Sequence, residues 1–402
     1  MILRRFMNTP SLRKHNISLL LALAAAAAVF MPALAQEASD DSPTTAPTTR
    51  RVDDAELRRL AAELRAMYVK PPAEWPAAEV DPSVTPIELG LVPPAPHPDD
   101  NPFSKEKAAL GQRLFLDPRL SGSGQLTCAS CHDPEQGWSN ARSLAFGHDR
   151  SLGRRASPTL MNIGHATSLF WDGRAMTLEE QALMPVVDTI EMNADTAVVE
   201  KRLNDDPELK EQFKTVFNAD TIDMENVAKA IACFERTITS GRSRFDRFVR
   251  GAPNALEDDA VRGLHLFRTK AGCMNCHHGP NMTDNQFHDL GLSFYGRKLQ
   301  DLGRYEVTKK AEDVGKFKTP TLRNIGNTAP YMHTGQFELD GVLNLYNAGM
   351  PTLKRKPEQE NDPLFPTKSH LLKPLELTAQ EKSDLKAFLM SLNEPRQRVR
   401  ER

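Results

Sequence analysis

Two short stretches, CASCH at residues 128–132 and CMNCH at residues 273–277, carry the residue types best able to do chemistry in this sequence. In each, two thiols three positions apart are followed at once by an imidazole. Three chemistries suit that set: a zinc knuckle, a redox dithiol, or covalent attachment of haem. In the last, Cys128 and Cys131, or Cys273 and Cys276, form thioethers to the haem vinyl groups, and His132 or His277 ligates the iron. A structural zinc site takes four protein ligands, so each pair would need two more. A thioredoxin-like dithiol belongs beside a βαβ pattern, which the sequence lacks. Two copies of C-x-x-C-H in a chain bearing an export signal favour two covalently bound c-type haems.

The export signal is at the start. Arg4, Arg5, Arg13 and Lys14 precede the apolar run ISLLLALAAAAAVFMPALA, and Ala33-Leu34-Ala35 fits a small-residue cleavage site. Residues 1–35 read as a signal peptide cleaved near Ala35, which predicts a periplasmic protein. The full chain has 51 basic and 53 acidic side chains, and removing the leader leaves 47 against 53. That mildly acidic balance speaks against nucleic acid as a partner, because phosphate binding needs concentrated Lys and Arg. The fifth cysteine, Cys233, lies on an apolar helical stripe in IACFERT and reads as a small buried hydrophobe.

The elements that must position these groups come in a repeated frame. ALGQRLF (109–115) precedes Cys128, VRGLHLF (261–267) precedes Cys273, and SPTLMNIGHATSLFWDG (157–173) aligns without a gap to TPTLRNIGNTAPYMHTG (319–335). The expected organisation is a Pro-rich extension with one short helix over 36–103, then a first haem domain over 104–250 and a second over 251–402. DAELRRLAAELRAMYV supplies the extension's helix. TAQEKSDLKAFLMSL opens with Thr378 and Glu381 as a capping box and carries Leu385, Phe388, Leu389 and Leu392 on one stripe. No alternating strand is evident. The fold class expected is mostly α: two cytochrome c-like haem domains related by internal duplication, with long irregular loops.

Two haems alone support only electron transfer, so catalysis must come from side chains over an open iron. In WDGRAMTLEEQALMPVVDTIEM, Thr177 and Glu180 suggest a capping box for a helix on which Gln181 and Pro185 share a face, and Glu191 follows. A carboxylate and an amide placed there could move a proton between the oxygens of bound peroxide. On residue type alone, both could equally be solvated polar groups.

The motifs DPRLSGSGQLTCASCHDPEQGW, FWDGRA, LEEQAL, KTPTLRNIGNTAPYMH and AFLMSLN resemble those of bacterial di-haem cytochrome c peroxidases and their relative MauG, over about residues 104 to 395. The resemblance implies a peroxidase reducing hydrogen peroxide to water, with electrons entering through the second haem from a small cytochrome c or cupredoxin. It implies that His132 belongs to the peroxidatic haem, that Glu191 and Gln181 line its distal pocket, and that Trp171 lies between the haems as an electron relay. It makes His148 the loop histidine that caps the peroxidatic iron in resting enzymes, although a surface histidine beside Asp149 and Arg150 is the competing reading. For the second haem it offers Tyr346, as in MauG, or Met350, as a thioether, with Met332 and His333 behind them. It implies a calcium ion held by carbonyls near Thr328 and Pro330, but the Asn of the family's site is Ala156 here. It also implies a homodimer. The alternatives are a MauG-like enzyme that oxidises a partner protein and a non-catalytic di-haem electron carrier.

Overall fold

A computed structural model describes residues 53–395; the expected leader lies outside them. Asp53 caps the first helix, α1 (Asp54–Tyr68), its carboxylate accepting from the Ala55 amide at 3.1 Å. Ala61, Leu64 and Tyr68 form its buried stripe, and Tyr68 sits in a polar network. Arg268 Nη1 donates to the Tyr68 hydroxyl (3.1 Å), which is also hydrogen-bonded to His265 Nδ1 (2.9 Å). Beyond α1 the chain is proline-rich, cannot build a ladder, and runs extended over the body as expected. It is tied there by Glu79 N–H to the Arg268 carbonyl (2.8 Å), Asp81 N–H to Asn275 Oδ1 (2.7 Å) and Gly279 N–H to the Ile87 carbonyl (2.8 Å).

Ten helices follow: α2 (Lys105–Phe115), α3 (Leu178–Val187), α4 (Thr196–Asn204), α5 (Pro207–Phe217), α6 (Met224–Glu235), α7 (Arg244–Val249), α8 (Asp258–Arg268), α9 (Tyr305–Thr308), α10 (Leu339–Asn347) and α11 (Ala379–Ser391). Two helix pairs organise the core. In the first, α2 lies on α6, so close at Gly111 that a Cβ there would fall 1.9 Å from the Ala230 carbonyl oxygen and 2.9 Å from Phe234 Cβ. In the second, α8 lies on α11, and a Cβ at Gly263 would fall 2.0 Å from the Asp384 carbonyl oxygen and 2.8 Å from Phe388 Cβ. Leu110, Leu114, Phe115, Val227 and Ile231 belong to one apolar cluster, and Leu264, Phe267, Leu385, Phe388 and Leu392 to another. Thr378 and Glu381 make the full capping box expected of them. At α3 only half of it forms: Thr177 accepts from the Glu180 amide (3.1 Å), while the Glu180 carboxylate turns to the Met176 amide (2.8 Å) instead.

The matched segments 157–173 and 319–335 take the same turns. Asn162 and Asn324 are both left-handed and start 3-10 turns, Ile163–His165 and Ile325–Asn327. Phe170 and Met332 both have positive φ, and the antiparallel bridges Leu169 to Ala175 and Tyr331 to Phe337 fall in the same register. One departure from expectation is a two-stranded antiparallel ribbon, β1 (Phe287–Asp289) with β2 (Lys316–Lys318). Three residues per strand are too few for an alternating pattern to show in sequence.

Candidate di-haem site

Each C-x-x-C-H folds as a single 3-10 turn, Cys128–Ser130 and Cys273–Asn275. The imidazole-bearing residue then closes back onto the first cysteine: His132 N–H donates to the Cys128 carbonyl (3.0 Å) and His277 N–H to that of Cys273 (2.8 Å). A carbonyl can only accept, so His132 Nδ1 carries the proton donated to Trp138 O (3.3 Å), and His277 Nδ1 that donated to Met282 O (3.1 Å). In both, Nε2 is left as the ligating nitrogen, with its orientation set by the backbone. Burial holds both imidazoles below their ordinary pKa, in the neutral form that binds iron.

The four thiols are shielded as well. Burial pushes Cys131 up to about 11, and Cys128, Cys273 and Cys276 to about 12. Zinc would need thiolates, and the other ligands are not assembled. Among the described residues the only close group of three potential donors is Cys276, Asp284 and His288, which omits Cys273 and His277. The second motif instead opens on a cavity of about 620 Å³ lined by Cys273, Cys276, His277, Leu343, Tyr346 and Leu389, among others. A volume in the roughly 300–1,000 Å³ class suits a cofactor. Thiols on one turn, a neutral outward-facing imidazole and an apolar-walled cavity fit a covalently held porphyrin.

Of the two residues offered as second-haem ligand, Tyr346 on α10 lines this cavity, and burial raises its phenol well above the ordinary value, with Cys276 and Cys273 adding to the shift. Met350 is buried at a positive-φ turn beyond α10 and is not among the lining residues. The turn that ends α10 rotates it away. Met332 and His333 do line the cavity.

On the first side, Gln181 and Pro185 lie on α3 and Glu191 follows in the turn after it. Glu191 is close enough to Cys131 to perturb its thiol. Burial, reinforced by Asp188, holds the Glu191 carboxyl above the ordinary range, against the opposing pull of Arg174 and Arg154. The His148 loop is docked on the same turn: His148 N–H donates to the Glu191 carbonyl (2.8 Å). His148 Nε2 stands 3.4 Å from Asp149 Oδ2, while its Nδ1 is buried with no partner among the described residues. The structure thus brings Glu191 and His148 to one place next to the first motif.

The family model described as "Di-haem cytochrome c peroxidase" matches residues 105–254. The chain is 39% identical to the cytochrome-c peroxidase IdrP1 of a Pseudomonas species (strain SCT), covering 85% of this chain and 93% of that protein. The chain belongs to the di-haem cytochrome c peroxidase family. It is also 40% identical to the methylamine utilization protein MauG of Methylorubrum extorquens, over 74% of this chain and 81% of that one. A crystal structure of a MauG-like protein associated with microbial copper homeostasis superposes with a TM-score of 0.68 at 32% identity, covering 78% of this chain and 95% of that one.

In this di-haem peroxidase two reciprocal hydrogen bonds, beside the Arg155 to Asp301 pair (2.7 Å) and the Arg304 bonds to the Asp172 and Gly173 carbonyls (2.8 Å each), join the regions around the matched segments at one junction. Ala156 N–H donates to the His333 carbonyl (2.7 Å), and Lys318 N–H donates to the Trp171 carbonyl (2.8 Å). Trp171 and His333, which occupy matching positions in the repeated segments, meet edge to face at 6.3 Å. Trp171 Nε1–H donates to the Ala156 carbonyl (2.8 Å), and His333 is stacked on Phe317 (3.7 Å) with its Nε2 unpartnered. Thr328 and Pro330 line the cavity near the same junction. Sequence reasoning passed over Lys318, Arg174 and Asp188. Only Lys318 had a signal, its alignment with Ala156 one residue before the matched segments.

Proposed function

We propose that this protein is an exported peroxidase that reduces hydrogen peroxide to water, using electrons delivered by a small redox protein to its second half. The observation carrying this reading is Glu191: a carboxyl raised by burial, beside the first C-x-x-C-H, where an acid-base group would have to stand. His132 with Cys128 and Cys131, and His277 with Cys273 and Cys276, would hold the two haems, which would supply the iron for peroxide reduction in the first half and an electron store in the second. Glu191 would take the proton from one peroxide oxygen and return it to the other, which leaves as water as the O–O bond breaks; two electrons from the donor and two protons from solvent then convert the remaining oxygen to the second water. Gln181 orients the peroxide through its amide. Trp171, at the junction, would carry electrons between the halves, and Tyr346 would be the protein ligand to the second iron. His148 gates the first site. Its loop is anchored on Glu191's own carbonyl, so a shift of the gate and a shift of the acid-base residue are mechanically joined.

The two halves, 104–250 and 251–402, are read as copies of one ancestral haem domain; the glycine contacts at 111 and 263 and the matched turns support that reading. A calcium ion at the junction would draw on the Thr328 and Pro330 carbonyls. Ala156 offers no side-chain oxygen, so that site has one protein ligand fewer than the family pattern.

Tyr346 inside the cavity and Met350 outside it favour a second reading, in which the enzyme resembles MauG and oxidises residues of a partner protein. A phenolate oxygen stabilises higher iron oxidation states, whereas a thioether favours ferrous iron. Stopped-flow mixing of the half-reduced protein with peroxide tests the catalytic reading. Rapid spectral change with water formed at the expense of donor electrons is expected; a pure electron carrier would show no rapid reaction in any redox state. A methionine-ligated low-spin signal in the electron-paramagnetic-resonance spectrum would overturn Tyr346 as ligand.

A further inference from the structure

Lys318 ends β2 and lines the cavity at the second motif together with Cys273, Cys276 and His277. Among the described residues its ammonium makes no hydrogen bond or ion pair. Of the other basic side chains of that lining, Lys270 pairs with Glu381 (2.7 Å), Lys373 with Asp81 (3.4 Å) and His288 with Asp284 (2.7 Å), His277 donates to the Met282 carbonyl (3.1 Å), and His333 is kept neutral by burial with its Nε2 unpartnered. Asp284, the carboxylate near Lys318, is therefore already taken by His288. An unpaired cation facing an apolar-walled cavity is costly, and burial pushes the Lys318 ammonium down to about 8. The group argued above to fill this cavity carries two carboxylates that need a counter-charge. Lys318 is also fixed in place, since its own amide is bonded to the Trp171 carbonyl (2.8 Å).

The position has a counterpart without charge. Ala156, one residue before the first matched segment as Lys318 is before the second, makes the reciprocal bond to His333 and carries no charge, and its neighbour Arg155 is paired with Asp172 (2.6 Å) and Asp301 (2.7 Å). A cation at one haem edge favours the reduced iron, whose net charge is lower by one, and acts at short range through a partly excluded medium.

We propose that Lys318 binds a propionate of the haem held by His277, and that this one-sided charge raises that haem's reduction potential relative to the haem held by His132. The proposal rests on the placement of a second haem in this cavity. The test uses fully matured holoprotein, with haem counted first by mass and by the pyridine haemochrome assay. Spectroelectrochemical titration and resonance Raman of the propionate bending band are then compared for wild type, K318M, K318Q and K318R. In K318M one haem should move to lower potential while the other keeps its value, the propionate band should shift, and K318R should restore both. K318Q removes the charge but keeps a donor, and should give the same fall in potential if K318M does not mature. Two haems with unchanged potentials, or an unchanged propionate band, in the neutral variants overturn the proposal. Fewer than two haems in wild type would overturn the haem placement itself.

Discussion

Glu191 owes its chemistry to a few ångströms of surroundings. Burial beside Asp188 raises its carboxyl, so the base form is gained at higher pH than for an exposed glutamate. Glu191→Gln is expected to keep normal haem content while peroxide turnover falls by about 10²–10⁴-fold. The acid limb of the wild-type pH–rate profile should disappear with it. A second buried carboxyl shows the opposite side of the same physics. Glu235 is 4% exposed, its Oε2 has no partner, and burial lifts it to about 8 from an ordinary 4.5. The folded state then binds the extra proton across the window between those values, so this group's contribution to stability is present below it and is lost as pH rises through it. Over that window the slope approaches about 1.4 kcal/mol per pH unit. Thermal melts of Glu235→Gln should be flatter in pH than wild type, with the variant's advantage growing toward pH 8; parallel curves would remove Glu235 as the cause.

At the scale of elements, the two helix crossings depend on the missing side chains of Gly111 and Gly263. A methyl at either would overlap a backbone carbonyl of the facing helix, which no rotamer change can relieve. Gly111→Ala and Gly263→Ala are each expected to cost about 3 kcal/mol or more, the upper range for overpacking, as read by denaturant midpoints. If the halves are independent in packing, Gly111→Ala should perturb the spectrum of the first haem more, and Gly263→Ala that of the second. The His148 loop is an element held by few bonds: His148 N–H to the Glu191 carbonyl, and the Gly147 to Ser151 (2.8 Å) and Gly153 to Ala145 (2.9 Å) bonds that close the Phe146 to Leu152 bridge. His148→Gly should react with peroxide in the fully oxidised state. A variant that still needs prior reduction would show that the gate lies elsewhere.

Over the whole molecule, residues 53–395 lie within one compact unit, with the N-terminal extension stitched across the second half through Arg268, Asn275 and Gly279. Purified mature protein is expected to exceed its polypeptide mass by two porphyrins, and loss of either C-x-x-C pair should remove one of them. Much of this was legible in the residues themselves. The C-x-x-C-H turns, the matched turns of the repeated segments, α1 and α11 follow from local spacing, because such a turn and an amphipathic period are properties of a few consecutive residues. The half-formed cap at α3, the three-residue strands and the separation of Tyr346 from Met350 were not legible. The first two turn on which competing amide a short polar side chain or backbone finds. The last turns on where a helix ends and how its final turn rotates. Lys318 is only partly in this class: its alignment with Ala156 marks the position, but nothing in KFK marks that its ammonium faces the cavity unpaired. The sequence alone therefore determined which atoms could bind haem and how often. Only the tertiary structure decided which side chains face the cavity and which burial perturbs, because those depend on contacts between segments far apart in the chain.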